Sequence, residues 1–335
     1  MLSANRSASG LVFALLSAAT FGVSGPLGKS LLDAGWSPGA TVGTRIGLAA
    51  LVMLVPTLVM LRGRWGQLRR GFGIMAGYGI VAVALCQFCY FNAVARMSPP
   101  VALMLEYLAP ILIVGWLWLR TRRRPGLLTI GGTVVAMLGL VLVLNLFSAT
   151  QVDPIGVLWG VGAAACLAVY FVLSVKADGV LPPFVVVGGG MVFGAVGLGM
   201  LALLGLLPLA ANFGSVHLMG TETSWIVPIL GITIVAAVIA YSLGIVAVQR
   251  LGAKVASFVS LTEVLFSVFA SWVMIGDVPA PVQALGGALI VAGVVLVRVD
   301  ELRAPLPAPA IEESAPEALP ALYPPEQPAA SARSV

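Results

Sequence analysis

Runs of about twenty apolar residues, repeated along most of the chain, most constrain what this sequence can fold into. A run of about 18 or more apolar residues is long enough to cross a bilayer as an α-helix. Only 9% of the 335 residues are charged, whereas soluble domains carry about 25%. The sequence therefore predicts an all-α integral membrane protein. Charges, glycines and prolines divide it into ten spans, 9–31, 39–61, 72–95, 99–119, 126–147, 155–175, 183–207, 224–248, 253–275 and 280–298.

The two ends of the chain call for separate treatment. The first apolar run is longer than that of a signal peptide and nine more follow, so we interpret it as a retained helix. Residues 300–335 are rich in proline and alanine, with scattered acids and no apolar periodicity. Such a segment buries too little apolar surface to offset the entropy of ordering it. We expect a disordered cytoplasmic tail.

Lysine and arginine are distributed asymmetrically between the loops. With the N-terminus in the cytoplasm, fifteen of the eighteen basic residues fall on the cytoplasmic side. The exceptions are Lys29, Arg45 and Arg96. Because cytoplasmic loops of membrane proteins are enriched in basic residues, this bias predicts both termini in the cytoplasm and a multi-pass protein of the plasma membrane.

The two halves of the chain resemble each other. An offset of 154 residues relates Arg96 to Arg250, Pro125 to Pro279, Gly132 to Gly286 and Gly139 to Gly293. Two repeats of five spans each have opposite orientations in the membrane, because five is odd. Inverted repeats are a recurrent plan of secondary transporters, whose site lies near the midplane between the halves. We assign residues 1–150 to the first repeat and 151–299 to the second.

Two segments resemble the EamA-type transporters of the drug/metabolite transporter superfamily. They are "YFNAVARMSPPVALMLEYLAPIL" at 90–112 and "YSLGIVAVQRLGAKVASFVSLTEVLFSVFASWVMIGD" at 241–277. Val264 stands where a proline commonly follows the glutamate of that family. Within the family, "PPVALMLEYLAP" is similar to the threonine/homoserine exporter branch. The resemblance implies export of amino acids or related small metabolites, and the superfamily also carries drugs, nucleobases and sugar derivatives.

Glu106 lies roughly 10 Å deep in the fourth predicted span. A carboxylate at such depth costs about 2.5–3.5 kcal/mol on insertion scales. Pro110, four residues on, lacks the N–H that would bond the Glu106 carbonyl. A carboxylate and a free carbonyl at one level of a helix suit an ammonium group, a cation or a coupling proton. A purely structural carboxyl, protonated or paired with an arginine, is the alternative.

Two further charged residues lie inside predicted spans. Arg45 is a third of the way into the second span, and a buried arginine in lipid needs an anion. That anion is either Glu106, in a structural pair, or a substrate carboxylate, in a site for a zwitterion. The resemblance supports Arg45, since EamA-type proteins often carry an arginine in this span. Glu263 lies near the middle of the ninth span and either faces the same cavity or serves local packing.

Less strongly marked residues complete the predicted site. Gln87, Tyr170 and Tyr241 are polar or amphipathic groups within spans, which either line the cavity or pack between helices. Prolines inside spans predict helix kinks at Pro26, Pro56, Pro110 and Pro228.

Other chemistries find little support in the sequence. Cys86 and Cys89 form a C-x-x-C pair, but no second pair or histidine cluster completes a metal site, so we interpret them as helix-packing residues. "GVSGPLGKS" at 22–30 resembles a phosphate-binding loop, but Val23 replaces its first glycine. We expect no catalytic residues, cofactor, metal or nucleic acid. The expected partners are a small-molecule substrate and the lipid bilayer, and monomer and oligomer both stay open.

The sequence as a whole predicts a secondary transporter that exports a small polar metabolite, foremost an amino acid, by alternating access. A carrier of drugs, nucleobases or sugar derivatives is the alternative. A membrane-embedded enzyme or a non-transporting scaffold is a weaker one, because the sequence lacks H-x-x-x-H, paired aspartates and G-x-S-x-G.

Overall fold

Helices make up most of the chain. The computed structural model describes residues 2–63, 65–94, 96, 99–122, 124–143, 153–275 and 280–303. The helices are α1 (Leu2–Gly22), α2 (Ser24–Asp33), α3 (Pro38–Leu61), α4 (Trp65–Gly77), π1 (Tyr78–Leu85), α5 (Cys86–Val94), α6 (Pro99–Glu106), α7 (Ala109–Thr121), α8 (Leu127–Val143), α9 (Pro154–Lys176), α10 (Pro183–Leu203), α11 (Ile226–Leu230), π2 (Gly231–Ile239), α12 (Ala240–Ser260), α13 (Thr262–Ile275) and α14 (Pro281–Arg303).

Within the described residues, seven helical segments are long and apolar enough to cross a membrane. They are Ala8–Asp33, Pro38–Leu61, Trp65–Ala93, Pro154–Lys176, Pro183–Leu203, Ile226–Ser260 and Pro281–Asp300. Three shorter apolar helices, Ala109–Thr121, Leu127–Leu142 and Thr262–Met274, fall within the fourth, fifth and ninth predicted spans. Two of these are short because the chain leaves regular helix inside the predicted span. The fourth span is interrupted at Tyr107–Leu108, and the ninth at Leu261.

Sequence signals set where several helices begin. Five of them start with a proline, whose missing N–H costs nothing in the first turn. Ser37 accepts a hydrogen bond from the backbone N–H of Ala40 (3.1 Å) and so caps α3. Asp153 accepts one from the N–H of Ile155 (2.8 Å) and caps α9.

The chain is mostly helical, but the prediction of an all-α fold does not cover the connection that follows the seventh predicted span. This segment contains a β-hairpin, β1 (Ser215–Leu218) and β2 (Thr221–Ser224), so that α11 begins at Ile226. Met219 and Gly220 both have positive φ, 55° and 72°, as a two-residue hairpin turn requires. Val216 and Leu218 pack with Leu31 and Trp36 in one apolar cluster. An alternation of two apolar residues is too short a signal to identify a strand by itself.

At the C-terminus, α14 continues to Arg303. The boundary predicted for the tail, residue 300, is therefore four residues too early. Residues 304–335, the rest of the predicted tail, lie outside the described residues, as do the ends of the third and fifth predicted spans at 95 and 147.

The two π-helices occupy equivalent places in the two halves of the chain. The offset of 154 residues relates Tyr78 to Ile232 and Leu85 to Ile239, so π1 and π2 coincide to within one residue. π-Helices of this length are uncommon and recur at functional sites. Their coincidence extends the repeat from the sequence to the backbone.

Helices α8 and α14 cross in close contact through the glycines of the repeat. A Cβ on Gly132 would lie 2.7 Å from the carbonyl oxygen of Gly293, and a Cβ on Gly139 would lie 2.6 Å from that of Gly286. The offset pairs Gly132 with Gly286 and Gly139 with Gly293. Gly132 therefore contacts the equivalent of Gly139, and Gly139 contacts the equivalent of Gly132. This reciprocal pattern is that of a contact across a twofold axis.

We expect Gly132→Ala to destabilise the protein by about 1–3 kcal/mol, because the added methyl overpacks a backbone contact. Gly131→Ala is the matched control on the same helix, since a Cβ there meets nothing within 4 Å. Thermal unfolding in detergent measures both variants. Equal midpoints for the two would contradict the close crossing.

Candidate functional site

A central cavity of about 970 Å³ lies among the helices. Its wall includes all six residues that the sequence nominated for a substrate site. They are Arg45, Gln87, Glu106, Tyr170, Tyr241 and Glu263. These residues come from α3, α5, α6, α9, α12 and α13, so only the tertiary fold brings them to one place.

Arg45 is the most constrained charged group of the cavity, with 3% of its surface exposed. Its Nη1 donates to the Ser24 hydroxyl (3.0 Å) and to Oε1 of Gln87 (3.2 Å). Its Nη2 donates to the carbonyl oxygen of Ala236 in π2 (2.5 Å). One guanidinium thus connects α2, α3, α5 and π2.

A direct pair between Arg45 and Glu106, one alternative raised by the sequence, is not found. Among the described residues, no carboxylate lies within 4.0 Å of the guanidinium. The three partners of Arg45 are neutral. Neutral dipoles therefore hold the guanidinium in place, and no ion pair among the described residues neutralises its charge.

Glu106 is the last residue of α6, beside the interruption at Tyr107–Leu108. Pro110 stands in the first turn of α7, and the N–H of Ile111 donates to the Leu108 carbonyl (3.0 Å). The carboxylate Oε1 of Glu106 accepts from the Cys86 thiol (3.6 Å). A thiol is a weak donor, so most of the hydrogen-bonding capacity of this carboxylate remains for a ligand.

Glu263 lies in the first turn of α13, just after the interruption at Leu261. The offset of 154 places Leu261 opposite Tyr107, so each glutamate stands beside the same interruption of its repeat. Glu106 precedes its break and Glu263 follows it. Both carboxylates line the one cavity without occupying equivalent positions.

Aromatic rings form one wall of the cavity. Tyr170 and Tyr241 meet edge to face, with centroids 5.9 Å apart, and Phe21 packs against Tyr241 at 4.9 Å. Tyr78, fully buried in π1, contacts both tyrosines behind this wall. Gly244 allows the Tyr170 hydroxyl to approach α12 closely.

Sequence reasoning missed several members of the site. Ser24 carried no signal, because a serine at a span interruption is common. Cys86 was interpreted as a packing residue, yet its thiol contacts Glu106 and the Ala163 carbonyl (3.6 Å). The Ala236 carbonyl is a backbone group, which no side-chain pattern reveals. No group of three potential metal ligands occurs among the described residues.

The cavity reaches the protein surface at one end. Exposed Lys29 and Asp33, paired at 3.2 Å, belong to its wall together with Trp36 and Pro38. Outside the cavity lining, α1 packs closely on α12. There Arg250 donates to the Ser9 hydroxyl (2.6 Å) and lies over the Phe13 ring at 4.7 Å.

The prolines predicted to kink helices occupy different settings. Pro26 lies in the first turn of α2, just after the break at Val23, and Pro110 in the first turn of α7. Pro228 lies in α11, before π2. Pro56 lies inside α3, which continues through it to Leu61.

A bundle of membrane-length helices around a charged central cavity is the architecture of a membrane transporter. The chain belongs to the EamA-like transporter family, whose model matches residues 8–145 and again 154–299. The two matches confirm that the family domain occurs twice.

Relatives of this chain carry transporter names. It is 26% identical to the uncharacterized inner membrane transporter YicL of Salmonella typhimurium over 231 residues, 68% of this chain and 73% of YicL. It is 25% identical to the threonine/homoserine exporter RhtA of Escherichia coli K12 over 288 residues, 84% of this chain and 89% of RhtA. A solved crystal structure shares the fold with a TM-score of 0.70 and 21% identity, covering 90% of this chain and 99% of that one.

We expect Ser271→Cys, in the cavity wall, to react with a charged thiol reagent about tenfold faster than Phe269→Cys, because a thiol facing lipid does not ionise. Phe269 is 58% exposed on the outside of the same helix. The readout is labelling of intact cells by an impermeant methanethiosulfonate. The wild type gives the background from its three buried cysteines. Equal rates would show that the cavity is closed to the outside.

Proposed function

We propose that the protein is a secondary transporter that exports a small polar metabolite, foremost an amino acid, by alternating access. The observation that carries this proposal is a buried arginine, with no carboxylate within 4.0 Å among the described residues, in the same cavity as two glutamates. A cavity that carries both signs of charge matches a molecule that carries both. The similarity to RhtA, named as a threonine/homoserine exporter, supports the same class of substrate.

Opposite ends of a zwitterion would occupy opposite parts of the site. The substrate carboxylate would bind the Arg45 guanidinium, which fits a planar carboxylate. The ammonium group would bind Glu106, with Glu263 as a second acid nearby. Glu106 is also our candidate for the group that carries a coupling proton, since its partner is the weakly donating Cys86 thiol.

We infer ten membrane crossings in two inverted repeats of five. Two of the three shorter apolar helices become full crossings when α6 is counted with α7 and the end of α12 with α13, and the 17 residues of α8 are just long enough for a crossing. The reciprocal glycine crossing of α8 and α14 and the matched positions of π1 and π2 support the inversion. The distribution of basic residues supports both termini in the cytoplasm, and the name of YicL supports the inner membrane.

A carrier of organic cations in the same superfamily is the second candidate. Tyr90 and Tyr107 belong to the cavity wall together with Glu106 and Glu263, and aromatic rings beside carboxylates suit a cationic ligand. Membership in a transporter family weighs against a membrane-embedded enzyme or a non-transporting scaffold.

Efflux from cells preloaded with threonine, homoserine and an organic cation tests the proposal. We expect wild type to export an amino acid and Glu106→Gln to slow that export by about tenfold or more, because losing one charge-assisted contact costs about 1.4 kcal/mol or more. Glu222→Gln, on the exposed hairpin, is the control that removes a carboxylate outside the cavity.

The outcomes separate the two candidates. Export of the organic cation without export of either amino acid would favour the second candidate, a carrier of organic cations. Export that survives Glu106→Gln would return Glu106 to a structural role.

A further inference from the structure

The two π-helices each release one backbone carbonyl. An N–H bonds to the carbonyl four residues earlier in an α-helix and five residues earlier in a π-helix. Where the chain returns from π to α, one carbonyl is therefore skipped. After π1 the backbone N–H groups of Cys86 and of the next residue, Gln87, bond to the carbonyls of Val81 and Val83, passing over Ala82. After π2 the N–H groups of Ala240 and of the next residue, Tyr241, bond to those of Val235 and Ala237, passing over Ala236.

Arg45 takes up one of these two carbonyls. Its Nη2 donates to Ala236 at 2.5 Å. The offset of 154 residues relates Ala236 to Ala82, so the other skipped carbonyl is its equivalent in the first repeat. No side chain in the described part of the chain donates to Ala82.

A glycine stands where a second arginine would be needed. Counted from the proline that begins each helix, Gly190 has the place in α10 that Arg45 has in α3. Gly190 packs directly on π1, where its Cβ would lie 2.6 Å from the Tyr78 ring. The second repeat thus supplies packing where the first supplies a guanidinium, and the Ala82 carbonyl gains no equivalent donor.

Ala82 belongs to the cavity wall, close to the acidic part of the site. Cys86, one helical turn further on, contacts the Glu106 carboxylate at 3.6 Å. A carbonyl without a donor at membrane depth is strongly destabilising unless it lines a cavity where a polar group reaches it. A neutral acceptor beside a carboxylate suits a group with several N–H donors and a positive charge.

We propose that the carbonyl oxygen of Ala82 and the carboxylate of Glu106 together bind the ammonium group of the substrate. This subsite rests on the proposed function, and it gives the two skipped carbonyls different tasks. The Ala236 carbonyl holds Arg45 for the carboxylate end, and the Ala82 carbonyl receives the ammonium end. The substrate must then present an ammonium group with at least two N–H donors, one for each acceptor.

Binding to the wild-type protein in lipid nanodiscs is the first test, by calorimetry with four probes. L-Threonine and n-propylamine carry a primary ammonium. Trimethylated threonine and the propyltrimethylammonium ion keep the charge and lack N–H donors. We expect each trimethylated probe to bind about tenfold more weakly than its parent. Binding of the pairs within twofold of each other would overturn the proposal.

The second test weakens the carbonyl itself. Replacing Val83 by its α-hydroxy acid turns the peptide bond after Ala82 into an ester, whose carbonyl is a poorer acceptor. We expect threonine and propylamine to bind about fivefold more weakly to this variant. The equivalent replacement of Ala237 weakens the Ala236 carbonyl. That matched control is expected to reduce threonine binding through Arg45 and leave propylamine unchanged.

The probes distinguish a failed subsite from a failed function. Threonine binding that is equal in wild type and the Val83 ester would overturn the subsite and leave amino-acid export standing. If the Val83 ester weakens propylamine binding while threonine does not bind to wild type, the subsite is supported and an amino acid is excluded as the substrate. Binding of neither parent amine to wild type would overturn both.

Discussion

The buried guanidinium of Arg45 is the interaction on which the arrangement of the cavity depends. An arginine at membrane depth requires polar partners from its neighbours, and this one finds them on α2, α5 and π2. Those contacts bring the two repeats together at one point, because Ser24 and Gln87 belong to the first and Ala236 to the second. The partners are neutral, so they orient the charge without cancelling it.

The rest of the site follows from interruptions of regular helix. Within lipid, the backbone leaves regular helical bonding only where a cavity or a neighbouring group satisfies the freed atoms. Here the interruptions at Tyr107–Leu108 and Leu261 place Glu106 and Glu263 in the wall. The exits of π1 and π2 place the skipped carbonyls of Ala82 and Ala236 near them. Each irregularity has an equivalent in the other half, whereas the charged side chains do not. A symmetric backbone thus carries an asymmetric site.

Packing and chemistry are divided between different residues of the same repeat. Glycines hold α8 against α14, and Gly190 holds α10 against π1. At the same distance from its first proline, α3 carries Arg45. These two helices therefore contribute a packing contact in one repeat and a guanidinium in the other.

The sequence by itself determined the membrane class, most helix positions, the repeat and six of the polar residues of the cavity wall. It did so because apolar runs, prolines and charges at membrane depth each have one dominant physical explanation. Only the tertiary structure decided that Arg45 contacts Ser24, Gln87 and Ala236 and not Glu106, because distances between helices are not encoded in spacing along one helix. The hairpin at 215–224 and the two π-helices also escaped the sequence. A two-residue alternation leaves almost no trace in side-chain patterns, although it places a strand against Trp36. The same holds for a one-residue shift in backbone hydrogen bonding, although it frees the carbonyls of Ala82 and Ala236 beside the cavity.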